Sequence, residues 1–189
     1  PLDAEHIALL QNSQVQTTSA NTYRGCGMFI NDANADHAAC TYRDIQYFNG
    51  SRHPIVFVFS GIGSQWLEMG RDLLKLPLFA KTIDFCHNVL LECNIDLKSI
   101  LTSTSKDTYD NVMHSYVGII AIEIALVDVL KSLGIVPDFI IGHSLGELAC
   151  AYADGCFTAE ETILAAHARG ASSNESQTID GAMAAIGMH

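Results

Sequence analysis

Two short apolar runs, "PIVFVF" at residues 54–59 and "PDFIIG" at 137–142, constrain what this chain can fold into more than any other feature. Each has the length of a strand, is rich in β-branched and aromatic residues, and leads through a glycine-bearing turn into a helix-forming stretch. Runs that are apolar at successive positions suit strands buried on both faces. Such strands alternating with helices predict an α/β fold, a mainly parallel sheet flanked by helices.

The helical stretches follow the same logic. "SQWLEMGRDLLKL" places Trp66, Met69, Leu73 and Leu76 at helical spacing and is expected to be a helix that stops at Pro77. "LFAKTIDFCHNVLLEC" predicts a second. "SYVGIIAIEIALVDVLKSLG" predicts a third, apolar around most of its circumference, closed by Gly134, and therefore central to the domain. Its apolar part is interrupted by Glu123 and Asp128 and reads as too short to cross a bilayer. "LGELACAYA" continues directly from the second strand. "TAEETILAAHARGASSNE" starts with Thr158 and Glu161 at capping-box spacing, and "GAMAAIGM" predicts one more strand. Residues 1–53 differ. They are rich in Asn, Gln, Thr and Ser, read as extended or loosely structured with strand-like pieces such as "GMFI", and end in a boundary turn at "NGSRHP".

Composition narrows the function classes. A net charge of −11 argues against nucleic acid as a partner, because no cluster of Lys and Arg is present to neutralise phosphates. The N-terminus has no basic segment before an apolar one, so no secretion signal is read and the expectation is a soluble, cytoplasmic protein without a membrane partner. Six cysteines form no CxxC pair, which points to reduced core residues rather than a disulfide framework, and Cys86 with His87 is too isolated a pair to hold a metal.

The chemistry concentrates at Gly142-His143-Ser144-Leu145-Gly146, a G-x-S-x-G sequence between the second strand and its helix. A sharp turn there exposes the serine oxygen, and glycines on either side avoid collision with the neighbouring strand and helix. The helix N-terminus favours developing negative charge. "FSGIGSQW", Phe59 to Trp66, sits at the end of the other strand and so on the same edge of a parallel sheet, where the N–H groups of Ile62 and Leu145 would form an oxyanion hole. It lacks the third glycine of GxGxxG and the lysine of a phosphate loop, so a nucleotide site is not favoured.

In this order, "FSGIGSQWLEMG", "AIEIAL", "GHSLGELACAYADG", "AAHARG" and "GAMAAIG" resemble the malonyl/acetyl acyltransferase domain of animal-type fatty acid synthase, and related acyltransferases of polyketide synthases and bacterial fatty acid synthesis share the broader pattern. The resemblance covers residues 54–189; residues 1–53 look like the end of the linker that follows the ketosynthase. It implies a large α/β-hydrolase-like subdomain, with a ferredoxin-like subdomain beginning near 181. It implies Ser144 as the acylated nucleophile, Leu145 and Ile62 as oxyanion donors, and Arg169 as the partner of a malonyl carboxylate. Gln65, Tyr116 and His143 would be further substrate-binding residues. Many members carry Gln at the position of Ile62, but a backbone donor needs no particular side chain. Tyr116, where many bacterial members have Gln, implies a more apolar pocket open to acyl groups beyond malonyl.

By resemblance, the function is transfer of acetyl and malonyl groups from coenzyme A to the phosphopantetheine thiol of an acyl carrier protein. It would take place within a multifunctional, dimeric synthase beside its ketosynthase, with no cofactor or metal bound by this segment. A polyketide-synthase acyltransferase, a serine hydrolase or thioesterase and a non-catalytic scaffold are the alternatives. None of the eight histidines is placed as the general base: in the family it follows the ferredoxin-like subdomain, and the 189 residues alone are expected to be inactive.

Overall fold

The computed structural model describes residues 22–30 and 39–175. Strands β1 (Tyr23–Ile30) and β2 (Ala39–Tyr47) form an antiparallel pair, with Tyr23 opposite Tyr47 and a register shift between Met28 and Phe29. This is more order than the polar composition suggested. Cross-strand packing supplies it: the Tyr23 and Tyr47 rings meet edge to face with centroids 5.7 Å apart, and the Arg24 guanidinium lies over the Phe48 ring.

Strands β3 (Val56–Phe59) and β4 (Phe139–Gly142) pair in parallel, Val56 beside Phe139 through Phe59 beside Gly142. The Asp138 carboxylate ties the start of the pair to the preceding chain by accepting from the Ile55 N–H at 2.8 Å and from Arg52 at 3.1 Å. Burial on both faces is not what the described residues show. Phe57 and Phe59 are buried, whereas Val56, Val58, Phe139 and Ile141 are exposed. Pleating sends alternate side chains to opposite faces, and the described helices cover only one of them.

Residues 64–76 also depart from expectation. They form turns and one 3₁₀ turn, Leu73–Lys75, instead of an α-helix. Gly63 and Glu68 take positive φ, at 101° and 60°, which interrupts helical continuity, while Met69 is still buried. Pro77 does not end a helix but begins one, α1 (Pro77–Leu91), at the first-turn position where its missing N–H is not needed. Short helix α2 (Leu97–Thr102), not foreseen, is capped by the Asp96 carboxylate, which accepts from the Ser99 N–H.

Helix α3 (Val112–Ser132) is the central element, with Val117, Ile120, Ala121, Ile124 and Ala125 fully buried. At 21 residues it is long and apolar enough to cross a bilayer, contrary to the length argument; yet 67% of its most apolar window is buried inside the molecule. Its polar residues are engaged inside too: the Asp128 carboxylate accepts from Thr82 on α1 and from Tyr152. Gly134, at φ 73°, stops the helix, and the Ile135 N–H closes back on the Leu130 carbonyl. Helix α4 (Gly146–Asp154) follows β4 and ends at Gly155, φ 85°. Helix α5 (Ala159–Glu175) opens on the expected capping box, Thr158 and Glu161 each bonding the other's backbone N–H. The strand expected at "GAMAAIGM" and residues 1–21 lie outside the described residues.

Candidate active site

The turn that carries Ser144 is built by steric exclusion. Ser144 stands between β4 and α4 at φ 54°, a left-handed conformation costing a non-glycine residue about 1–2 kcal/mol, and it is exposed. Hydrogen bonds hold it there: the His143 N–H donates to the Phe59 carbonyl at 3.0 Å, the Gly146 N–H to the His143 carbonyl at 3.0 Å, and the Glu147 N–H to the Ser144 carbonyl at 3.2 Å. Both flanking glycines are required by contact. A Cβ on Gly146 would lie 2.5 Å from the Phe59 carbonyl oxygen, and one on Gly142 would lie 2.6 Å from the Cys150 sulfur and 2.8 Å from the Glu147 nitrogen.

The loop after β3 lies against this turn. A Cβ on Gly61 would sit 2.8 Å from the His143 carbonyl oxygen and 3.4 Å from both the Leu145 nitrogen and the Ser144 Cβ. The turn therefore holds Gly61, and with it the backbone at Ile62, beside Ser144 and Leu145. Among the described residues no hydrogen bond takes up the N–H of Ile62 or of Leu145. Gln65 braces the loop from within, its Oε1 accepting from the Gly63 N–H at 2.8 Å. His143 is exposed, and its ring makes no hydrogen bond among the described residues.

Arg169 and Tyr116 form a second group. Gly170 packs so tightly on α3 that an added Cβ would be 2.9 Å from the Met113 Cα. That approach sets the neighbouring Arg169 guanidinium 5.9 Å from the centroid of the Tyr116 ring, while the Tyr116 hydroxyl lies 3.3 Å from the Ser173 hydroxyl. Tyr116 is buried and Arg169 exposed, and among the described residues no carboxylate pairs with Arg169. No hydrogen bond or ion pair links this group to Ser144 among the described residues.

No described histidine engages Ser144. His87 approaches Asp96 at 3.7 Å and His114 bonds the Thr108 carbonyl at 2.6 Å. His53 is exposed and His167 partly buried, neither with a hydrogen bond to the serine; His6, His37 and His189 lie outside the described residues. The five cysteines whose side chains are described are free thiols, but they are not all core residues as expected: Cys86 is buried, Cys93 and Cys150 are half-buried, and Cys26 on β1 and Cys156 just after α4 are exposed. Burial pushes the Cys86 thiol up to about 12, which makes it inert. Among the described residues no cluster of His, Cys, Asp and Glu could hold a metal ion.

One polar group at the site was read from the sequence only as an interruption in an apolar run. Glu123 of α3 is buried, and its Oε1 accepts from the Ser60 N–H at 2.9 Å and from the Ser60 hydroxyl at 3.3 Å. Burial pushes its carboxyl up to about 7, against the lowering effect of those two bonds. A carboxylate in the middle of the most apolar run of α3 was the available signal.

Residues 56–189 match the acyl transferase domain family. Among curated proteins, a highly reducing polyketide synthase (sphB) of Aspergillus fumigatus is 40% identical over 142 residues, 71% of this chain and 6% of that protein. The chain thus spans about a twentieth of the length of such relatives. Among solved structures, the acyltransferase domain from the second module of the salinomycin polyketide synthase has a TM-score of 0.68 at 25% identity, covering 91% of this chain and 41% of that one. The malonyl CoA-acyl carrier protein transacylase of Coxiella burnetii has a TM-score of 0.59 at 28% identity, covering 65% and 39%. The curated relatives are polyketide synthases, which supports a synthase-type acyltransferase broadly and gives no specific support to an animal fatty acid synthase.

Proposed function

Because the chain belongs to the acyl transferase domain family, we propose that it carries malonyl units from coenzyme A to an acyl carrier protein through a seryl ester on Ser144, as part of a polyketide-type synthase. The observation that carries this reading is the serine itself, exposed at φ 54° in a glycine-lined strand-to-helix turn. Beside it stand two backbone N–H groups with no partner among the described residues.

The Ser144 oxygen attacks the thioester carbonyl carbon and gives up its proton to a base supplied outside the described residues. The negative charge moves to the carbonyl oxygen, where the N–H groups of Ile62 and Leu145 would receive it without reorganisation. The carbon–sulfur bond then breaks, coenzyme A leaves as its thiol with the proton, and the acyl group remains on Ser144. Attack by the phosphopantetheine thiol of the carrier reverses the sequence and frees the serine. Arg169 selects the acyl group: its guanidinium matches a free malonyl carboxylate, and the adjacent Tyr116 ring offers an apolar wall that also tolerates acetyl. Similarity to an enzyme whose name states malonyl transfer to a carrier supports this choice.

The test is to incubate the full-length protein with radiolabelled malonyl-CoA, locate the label by peptide mass, and chase with carrier protein. Label that is stable on Ser144, moves to the carrier and is absent from Ser144→Ala is the expected result. Label retained by Ser144→Ala moves the nucleophile elsewhere, and rapid release as free malonate makes the protein a hydrolase.

A further inference from the structure

The proposed oxyanion hole uses a donor from a loop, the backbone at Ile62, and something must hold that loop in place. Among the described residues, Glu123 is the one side chain outside the loop that takes a hydrogen bond from residues 60–65, and it takes them from Ser60. Glu123 Oε1 receives both the N–H and the hydroxyl of Ser60, the Ser60 and Ser64 hydroxyls lie 3.0 Å apart, and the Ser64 hydroxyl donates to the Gly61 carbonyl at 2.7 Å. The same residues press on the nucleophile turn: a Cβ on Gly146 would be 2.6 Å from the Ser60 carbonyl oxygen, and one on Gly61 2.8 Å from the His143 carbonyl oxygen. One carboxyl group on the central helix therefore anchors the stretch of chain lying between the end of β3 and Ser144.

We propose that Glu123 is a positioning residue for acyl transfer: by holding Ser60, it fixes the Ile62 N–H where the oxyanion forms. The alternative, a charge left over in the core, does not account for an acceptor aimed at the loop. Glu123 has no cation beside it among the described residues. Its Oε2 has no hydrogen-bond partner there, so what its burial achieves locally is the pair of bonds to Ser60. A carboxyl pushed up to about 7 is neutral in a large share of molecules near that pH, and a neutral acceptor of the same shape should serve as well.

This inference rests on acyl transfer at Ser144, and the experiment separates the two. In the full-length protein, the rate constant for Ser144 acylation at saturating malonyl-CoA is measured by rapid quench for the parent, Glu123→Ala and Glu123→Gln, with the fraction finally acylated as a separate readout. The expected result is a rate lower by ~10-fold or more in Glu123→Ala, with the final fraction and the concentration giving half-maximal rate little changed. Glu123→Gln, whose Oε1 can still accept from Ser60, should recover most of the rate. Rates within twofold for Glu123→Ala, or a loss confined to the fraction acylated, would overturn the positioning role while leaving Ser144 as the nucleophile. Failure of Glu123→Gln to recover would also overturn it. Absence of a seryl ester in the parent protein overturns both readings.

Discussion

Ser144 is held in a conformation its side chain disfavours, and that strain is testable. Ser144→Gly relieves the left-handed backbone, whereas Ser144→Ala removes the hydroxyl and keeps the strain. The glycine variant should be more stable than the alanine variant by about 1 kcal/mol, the left-handed penalty less the extra entropy glycine loses on folding. Denaturant midpoints of the two variants check this, and neither should form an acyl-enzyme. Arg169 makes a sharper claim. With no carboxylate partner among the described residues, its removal should cost malonyl transfer about 2 kcal/mol or more, as for a lost hydrogen bond to a charged group, and leave acetyl transfer unharmed. The comparison of kcat/KM for malonyl-CoA and acetyl-CoA in Arg169→Ala decides it. Equal losses would make Arg169 a structural residue. Both positions were singled out from the sequence, Ser144 by its G-x-S-x-G turn and Arg169 by the resemblance alone. Glu123 was not, since its partner Ser60 is distant along the chain and only the tertiary fold brings the two together.

At the scale of elements, the helices behaved as periodicity predicts where their ends are marked by caps. The Thr158–Glu161 box is such a mark: the Thr158 hydroxyl accepts from the Glu161 N–H at 3.2 Å while Glu161 accepts from the Thr158 N–H at 2.8 Å. Thr158→Ala should lower stability by about 1 kcal/mol, read from urea unfolding, with no change in acylation at saturating substrate. Residues 64–76 show where periodicity misleads. Trp66, Met69, Leu73 and Leu76 have helical spacing, but Gly63 and Glu68 take backbone angles no helix contains, and Pro77 starts α1 instead of stopping its predecessor. Spacing reports which residues face the core, and an irregular segment packed on α3 can meet the same demand. The β1–β2 pair was under-read for a related reason, as its order comes from cross-strand partners that a single strand does not reveal.

For the whole molecule, two observations bear on stability. The first is pH. Burial holds Glu123 at about 7, above its ordinary 4.5, so the folded chain binds this proton more tightly than the unfolded chain does. The stabilisation is complete below about 4.5 and is lost as pH rises to about 7. It is on the order of 3 kcal/mol, with a slope of at most ~1.4 kcal/mol per pH unit. Around it, the Ser60 donors lower the value, and the titratable group that interacts with it from α4 is the Cys150 thiol, which is itself pushed up. Asp72, Asp96 and Glu161 are held below their ordinary values, so their contributions are lost only at lower pH. Unfolding free energies at pH 5 and pH 7.5 should fall more for the parent than for Glu123→Gln; parallel pH profiles would refute the assignment. The second observation is the sheet face that no described helix covers, where Val58 and Ile141 are 73% and 57% exposed beside Val56 and Phe139. Contiguous apolar surface of this kind binds hydrophobic dye and promotes association. The 189-residue chain on its own should therefore bind such a dye, and Val58→Lys with Ile141→Lys should reduce the signal.

What the sequence determined by itself was whatever depends on neighbours in the chain. It gave the strand–turn–helix around Ser144, the capped helices, the apolar circumference of α3, and the resemblance carried by short motifs in order. What only the tertiary structure decided was which distant groups meet. It set Gly61 against His143 and Leu145, Arg169 over the Tyr116 ring through the close approach of Gly170 to Met113, and Ser60 on the carboxyl of Glu123. Local propensity acts over a turn or a strand, whereas the proposed oxyanion hole and its support draw on segments some sixty to eighty residues apart, and only the packing of the core brings these together.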